Sequence, residues 1–149
     1  VILRPAASDD LDDVARIWLE AWLSTGIVLA SAPTYEVLRS RIAVEIAGGW
    51  VVTVADIGGA VVGFVAIDPD VRQLEQIFVD PRHQGAGVGA ALLAHAHAAM
   101  PDGFGLWTHG DNHRAADFYA RRGMALVGSG FHPRQGHAIL TFAMPPVTA

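Results

Sequence analysis

Apolar positions along the chain recur in two periods, and the switches between them mark out its elements. "VILRP" is a short apolar run ended by Pro5 and predicts an opening strand. In "SDDLDDVARIWLEAW", Leu11, Val14, Ala15, Trp18 and Trp22 fall on one helical face. Ser8 stands at the N-cap position of that helix, with Asp9 and Asp10 where the dipole favours acids. Pro33 is expected to open a second helix running to about Ala47. "WVVTVAD", "IGG" and "AVVGFVAIDP" predict a hairpin turned by glycine, and "RQLEQIFV" predicts a fourth strand. Val88, Leu92, His95, Ala96 and Ala99 then repeat at helical spacing up to Met100. "PDG" breaks that helix, "FGLWTH" predicts a fifth strand, and "HRAADFYARRG" a short helix stopped by Gly123. "MALVGSG" and "HAILTFAMP" predict the last two strands. The order β-α-α-β-β-β-α-β-α-β-β mixes helices and strands and places a hairpin before the long helix, which predicts an α+β fold on a mixed sheet rather than a regular βαβ repeat.

Composition narrows the function classes. At 149 residues the chain suits one domain over residues 1–149, able to bury about two thirds of its unfolded surface. With 52% hydrophobic and 17% charged residues it is too apolar for disorder. Apolar runs reach only a few residues, and no cationic segment leads into an apolar one, so neither a membrane helix nor an export signal is expected. Cysteine is absent, which removes disulfides, thiolate nucleophiles and thiolate metal sites, and fits a cytoplasmic protein. The net charge is −5 with no basic cluster, which argues against nucleic-acid binding and tolerates a cationic small molecule or an amine-bearing peptide.

The chemistry-bearing stretch is "FVDPRHQGAGVGAALL". A glycine-rich segment leading into a helix presents free backbone N–H groups and the positive end of the helix dipole to an anion. A P-loop requires a Lys-Ser/Thr pair after the last glycine, where this chain has Ala90 and Ala91. A dinucleotide fingerprint matches literally from Gly85 through Gly87 to Ala90, but Asp80 to Gln84 separate it from its strand. The acid expected at the end of the next strand is also missing, since that strand ends near Thr108 and Asp111 lies beyond it.

Gln84-Gly85-Ala86-Gly87-Val88-Gly89 fits Q/R-x-x-G-x-G/A and resembles the pyrophosphate loop of the GNAT superfamily of acyl-CoA-dependent N-acetyltransferases. Downstream, "NHRAADFYARRGMALVG" resembles that family's N-x-x-A-x-x-F-Y-x-x-x-G-F segment, from Asn112 through Ala115, Phe118, Tyr119 and Gly123. The resemblance covers about residues 2 to 145, and its specific part lies between Leu74 and Gly128. It implies a GNAT-like, largely antiparallel sheet of about seven strands flanked by about four helices. Met124 stands where phenylalanine is usual, a volume-tolerant exchange. Trp107 stands where the ribosomal-protein N-terminal acetyltransferases of the family carry a catalytic glutamate, and a tryptophan cannot take a proton.

The resemblance also implies roles. Acetyl-CoA would be the co-substrate, its pyrophosphate on the backbone amides of Gln84, Gly85, Ala86, Gly87, Val88 and Gly89, its pantetheine arm alongside Ile77, Phe78 and Val79. A bulge there would free an amide to polarise the thioester carbonyl. Asn112 would touch the cofactor arm as well as cap its helix. Tyr119 would give a proton to the leaving thiolate, since a phenol near pKa 10 can donate to a thiolate whose acid lies near 8.5. The acceptor would be a primary amine of a small molecule or peptide, attacking directly. A lysine-like amine has a pKa near 10.4 and must lose a proton first. Glu75 is the candidate base, with a water chain as the other possibility; strict strand alternation puts Glu75, Ile77 and Val79 on one face, and a bulge would shift that phase. A domain of the same fold that binds acyl-CoA without chemistry is the alternative reading, and a homodimer is compatible with either.

Seven histidines raise the question of a metal. His95 and His97 diverge on their helix, and His109 and His113 flank a turn with Asp111 between them; no functional metal is expected. Trp18, Trp22 and Tyr35, with His132 and Arg134 between the last strands, are the candidates for shaping the acceptor pocket.

Overall fold

The computed structural model describes residues 1–148. Seven strands form one sheet: β1 (Ile2–Pro5), β2 (Val51–Ile57), β3 (Ala60–Asp68), β4 (Gln73–Val79), β5 (Phe104–His109), β6 (Ala125–Phe131) and β7 (Ala138–Met144). Their spatial order is β1-β2-β3-β4-β5-β7-β6, antiparallel throughout except where β4 meets β5. The described residues also form four α-helices, α1 (Leu11–Ser24), α2 (Tyr35–Ala47), α3 (Val88–Ala99) and α4 (His113–Arg121), and two 3-10 turns, Ser8–Asp10 and Pro81–His83. Among the described residues no helix is long and apolar enough to cross a membrane.

The sheet divides the core in two. On one face Val14, Ile17 and Trp18 of α1 and Leu38 and Ile42 of α2 pack on Val52, Val54, Phe64 and Ala66. On the other, Val88, Leu92, Leu93 and Ala96 of α3 and Tyr119 of α4 pack on Val65, Ile67, Leu74, Leu106 and Phe142. Gly63 lets α3 lie this close: a Cβ there would stand 3.2 Å from both Val88 and Leu92 side chains and 3.0 Å from the Phe78 carbonyl oxygen.

The expected element order is the observed one, and three local expectations are corrected. Ser8 does not cap α1; Ser8–Asp10 form a single 3-10 turn, and the Asp10 carboxylate accepts from the Ala7 amide at 2.7 Å and from Arg4 at 2.7 Å. Asp10 itself stands at the N-cap position of α1 and makes no side-chain cap bond to the helix, because its carboxylate is turned back to the Ala7 amide and Arg4. The second helix starts at Tyr35, not Pro33, because Thr34 accepts from the Val37 amide and so sets the cap.

The third correction concerns β4. Ile77, Phe78 and Val79 pair regularly with Val65, Phe64 and Gly63. The irregularity lies earlier: Ala66 faces Gln76 while Ile67 faces Leu74, so Glu75 is the extra residue of the bulge. Consequently Leu74, Ile77 and Val79 share the α3 side, and Phe78 joins the α1–α2 side. The bulge breaks the alternation that would have put Glu75 with Ile77 and Val79.

Candidate active site

Between β4 and β5 the only registered pair among the described residues is Gln73 with Gly105, and beyond it the parallel strands part. Their separation opens a cleft of about 1180 Å³ that runs from the glycine loop to the β6–β7 connection. Ile77, Phe78 and Val79 line it, so their backbone on the β5 side is left without a strand partner by the splay, not by a bulge.

The loop is built by its turn residues. Asp80, buried, accepts from the Arg82 amide at 3.0 Å and from the Arg82 guanidinium at 3.0 and 2.8 Å, with Arg16 at 3.5 Å. These bonds hold its carboxyl well below the usual carboxylate range, Arg82 being the main cause. The Gln84 side chain donates to the Val79 carbonyl at 3.3 Å and ties the loop back to β4. Gly85 and Gly87 then adopt φ of +83° and +84°, the left-handed region that glycine occupies without strain. Gly87 is the N-cap of α3. Backbone amides 85 to 90 donate to no described residue. A Cβ added at Gly85 or Gly87 would meet nothing within 4 Å, so both face open space. Gly89 serves packing instead: its Cβ would stand 3.4 Å from the Phe118 ring. Of the six loop residues, Gln84, Gly85, Gly87 and Gly89 line the cleft; Val88 is buried in the core and Ala86 is exposed outside the lining. Six unpaired amides at a helix N-terminus constitute an anion-binding surface.

Across the cleft, Asn112, one of its lining residues, caps α4 by accepting from the Ala115 amide at 3.2 Å, and its side-chain NH₂ donates to no described residue. α4 ends in a Schellman turn: the Met124 amide donates to the Tyr119 carbonyl at 3.1 Å and Gly123 sits at φ +91°. That turn holds Tyr119 against the core, 5.5 Å from the Phe118 ring and 5.7 Å from Phe142. The residue is 7% exposed, and its hydroxyl makes no hydrogen bond to a described residue, yet is not sealed from the cleft it lines. Burial pushes the phenol well above its ordinary pKa, so it stays protonated through the neutral range.

Glu75 lines the same cleft from the bulge, half-buried. Burial lifts its carboxyl above the ordinary range, Asp68 and Glu45 add repulsion, and Arg41 pulls it partly back. Trp18 and Trp22 both line the cleft, Trp18 with most of its surface in the core and its ring stacked on Phe78 at 6.2 Å. Tyr35 packs against the α1–α2 core and does not line the cleft, nor does Arg134.

Three histidines that sequence spacing did not connect meet at the far end. The His109 and His137 rings stack at 4.0 Å and 21°, and His132 lies 5.0 Å from His137. Trp107, 45% exposed, stands edge-on to His132 at 5.2 Å. Sequence gave no signal for His137; the β5–β7 register, His109 opposite Ile139, brings it there. Among the described residues no group of three or more His, Asp or Glu side chains could hold a metal ion.

Comparison with known proteins agrees with this layout. Residues 11–124 match the family described as acetyltransferase (GNAT) family. An uncharacterised N-acetyltransferase of Archaeoglobus fulgidus is 31% identical over 148 residues, spanning 86% of this chain and 95% of the relative. A GCN5-related N-acetyltransferase from Rhodopseudomonas palustris superposes with a TM-score of 0.78 at 20% identity, covering 97% of this chain and 94% of that one. An N-acetyltransferase from Thermoplasma acidophilum, solved in complex with coenzyme A, gives 0.72 at 18% identity over 94% and 96%.

Proposed function

The chain belongs to the acetyltransferase (GNAT) family, and from that premise we propose that it moves an acetyl group from acetyl-CoA to a primary amine of a small molecule or peptide by direct attack. The observation that carries this reading is the run of unpaired amides 85 to 90 at the mouth of the cleft that β4 and β5 leave open. Acetyl-CoA would supply an already activated acyl group, so the chain needs no nucleophile of its own.

Residues 84 to 89 would hold the pyrophosphate, and Ile77, Phe78 and Val79 the pantetheine arm, along the open edge of β4. An unpaired β4 amide can serve as a donor fixed in place before charge develops on the acyl oxygen. Asn112 lines the same cleft from α4, and its NH₂ group would meet the arm there. Tyr119 would protonate the departing sulfur. Its raised pKa keeps it a donor, and burial raises the basicity of a nearby thiolate in parallel. Glu75 carries the negative charge that draws in an ammonium, and its raised pKa brings it closer to the amine as a proton acceptor. The setting is a cytoplasmic one, with acetyl-CoA at hand.

Calorimetry with acetyl-CoA, followed by thiol release against a panel of amines, tests the reading. Binding with amine-dependent release of CoA is expected. Binding without release from any amine would favour the non-catalytic acyl-CoA domain, and no binding would remove both.

A further inference from the structure

A primary ammonium must lose two protons before it becomes an amide nitrogen, and Glu75 accounts for one. The imidazoles at the far end of the cleft differ in which nitrogen is available. His109 Nδ1 accepts from the Asp111 amide at 3.0 Å. His132 Nδ1 accepts from the amides of Arg134 at 3.1 Å and Gln135 at 2.9 Å. An amide N–H can only donate, so both neutral rings carry their proton on Nε2. His137 is the reverse: its Nδ1 lies 3.0 Å from the Ala138 carbonyl oxygen, which can only accept. Its proton is therefore on Nδ1, and the Nε2 lone pair is bare. That Nε2 bonds to no described residue and is not sealed from solvent. His137 lines the cleft and is clamped between its two neighbours.

We propose that His137 is a second proton acceptor of the transfer reaction, its Nε2 taking one of the two protons still on the acceptor nitrogen once the C–N bond has formed. This rests on the acetyltransferase reading. The first proton passes from the ammonium to Glu75, and the nitrogen lone pair then forms the C–N bond. As the C–S bond breaks, the sulfur takes a proton from Tyr119, and the second nitrogen proton moves to His137 Nε2. Glu75 and His137 release their protons to solvent, and Tyr119 recovers one, so one proton is lost per turnover. Burial and the nearness of His137 lower the pKa values of His109 and His132, with Asp111 opposing at His109 and Arg134 and Arg41 reinforcing at His132. Both neighbours thus stay neutral donors and leave the proton-accepting role to the middle ring.

Two measurements decide it. Long-range ¹H–¹⁵N spectra of the histidine-labelled chain at pH 7.5 should show His137 protonated on Nδ1 and His109 and His132 on Nε2. A His137 carrying its proton on Nε2 overturns the proposal. Turnover is followed with whichever of ethanolamine, putrescine, phenethylamine or glycinamide the wild-type chain acetylates. His137→Ala, and His137→Gln should the first unfold, should lower kcat by about 10²-fold with CoA affinity unchanged, and free imidazole should restore part of the loss in the alanine variant. A rate within threefold of wild type, or a loss that imidazole does not restore, overturns the role. A wild-type chain that acetylates none of the four amines counts against the transferase reading itself, and the tautomer spectrum then decides the placement of the proton by itself.

Discussion

Gln73 and Gly105 are the hinge point of the cleft: they face each other in register, and past them β4 and β5 share no further pair among the described residues. The Gly105 amide also donates to the Arg72 carbonyl at 3.0 Å, which fastens the closed end. Two neighbouring glycines there should respond differently to alanine. A Cβ at Gly105 would meet the Gln73 Oε1 at 3.3 Å, the mobile end of a side chain, and the Phe142 carbonyl oxygen at an ordinary 3.7 Å, so Gly105→Ala should cost about 1 kcal/mol or less. At Gly103, with φ +98°, the Cβ would stand 2.6 Å from the Met144 carbonyl oxygen. Gly103→Ala should cost about 2–4 kcal/mol, from overpacking plus the backbone penalty. Urea unfolding measures both, and equal losses would refute the account of this joint.

The anion-binding loop is tested by Gly87→Glu. Space is open at Gly87, so any loss of binding reports charge and φ rather than a clash. A carboxylate beside the bound pyrophosphate should weaken CoA binding by at least about tenfold, or about 1.4 kcal/mol. Calorimetry on the folded variant checks this; an unchanged Kd would take the pyrophosphate away from residues 84 to 89.

Glu75→Gln probes the first proton. Because burial raises its pKa, the carboxyl stays protonated to a higher pH than an exposed glutamate, and turnover should fall as pH drops through that raised value. The glutamine variant should be slower at neutral pH and lose this acidic limb. Retention of the limb with near-normal turnover would pass the role to water.

Tyr119→Phe separates catalysis from binding. The ring contacts with Phe118 and Phe142 survive, and the hydroxyl has no partner to lose among the described residues, so stability should change by about 1 kcal/mol or less. CoA affinity should hold within a few-fold while kcat falls about 10²-fold or more. The raised phenol pKa places any basic limb due to Tyr119 above the neutral range, so the wild-type and variant profiles should run parallel near neutrality. Wild-type turnover in the variant, with chemistry shown to be rate-limiting, would leave Tyr119 a packed aromatic.

What the sequence by itself determined was everything set by short-range rules. The glycine positions, the Asn112 cap and the Gly123 stop each satisfy a local backbone demand, so the loop, α3 and α4 were legible before any contact was known. The helical face of Leu11, Val14, Ala15 and Trp18 was legible for the same reason, since its period is fixed by the backbone. Tertiary structure decided the rest. Asp10 rather than Ser8 stands at the N-cap of α1, its carboxylate turned back to the Ala7 amide and to Arg4 of β1, a contact that no local pattern encodes. The bulge sits at Glu75 because β3 and β4 must keep Leu74 and Ile77 on the same buried face, three residues apart where strict alternation requires an even spacing. The freed backbone of Ile77 to Val79 follows from strand splay, which depends on how two distant strands diverge. His109 and His137, far apart in sequence, became stacked neighbours only through the β5–β7 register, and which ring nitrogen each leaves free depends on backbone groups that fall into place only when that sheet closes.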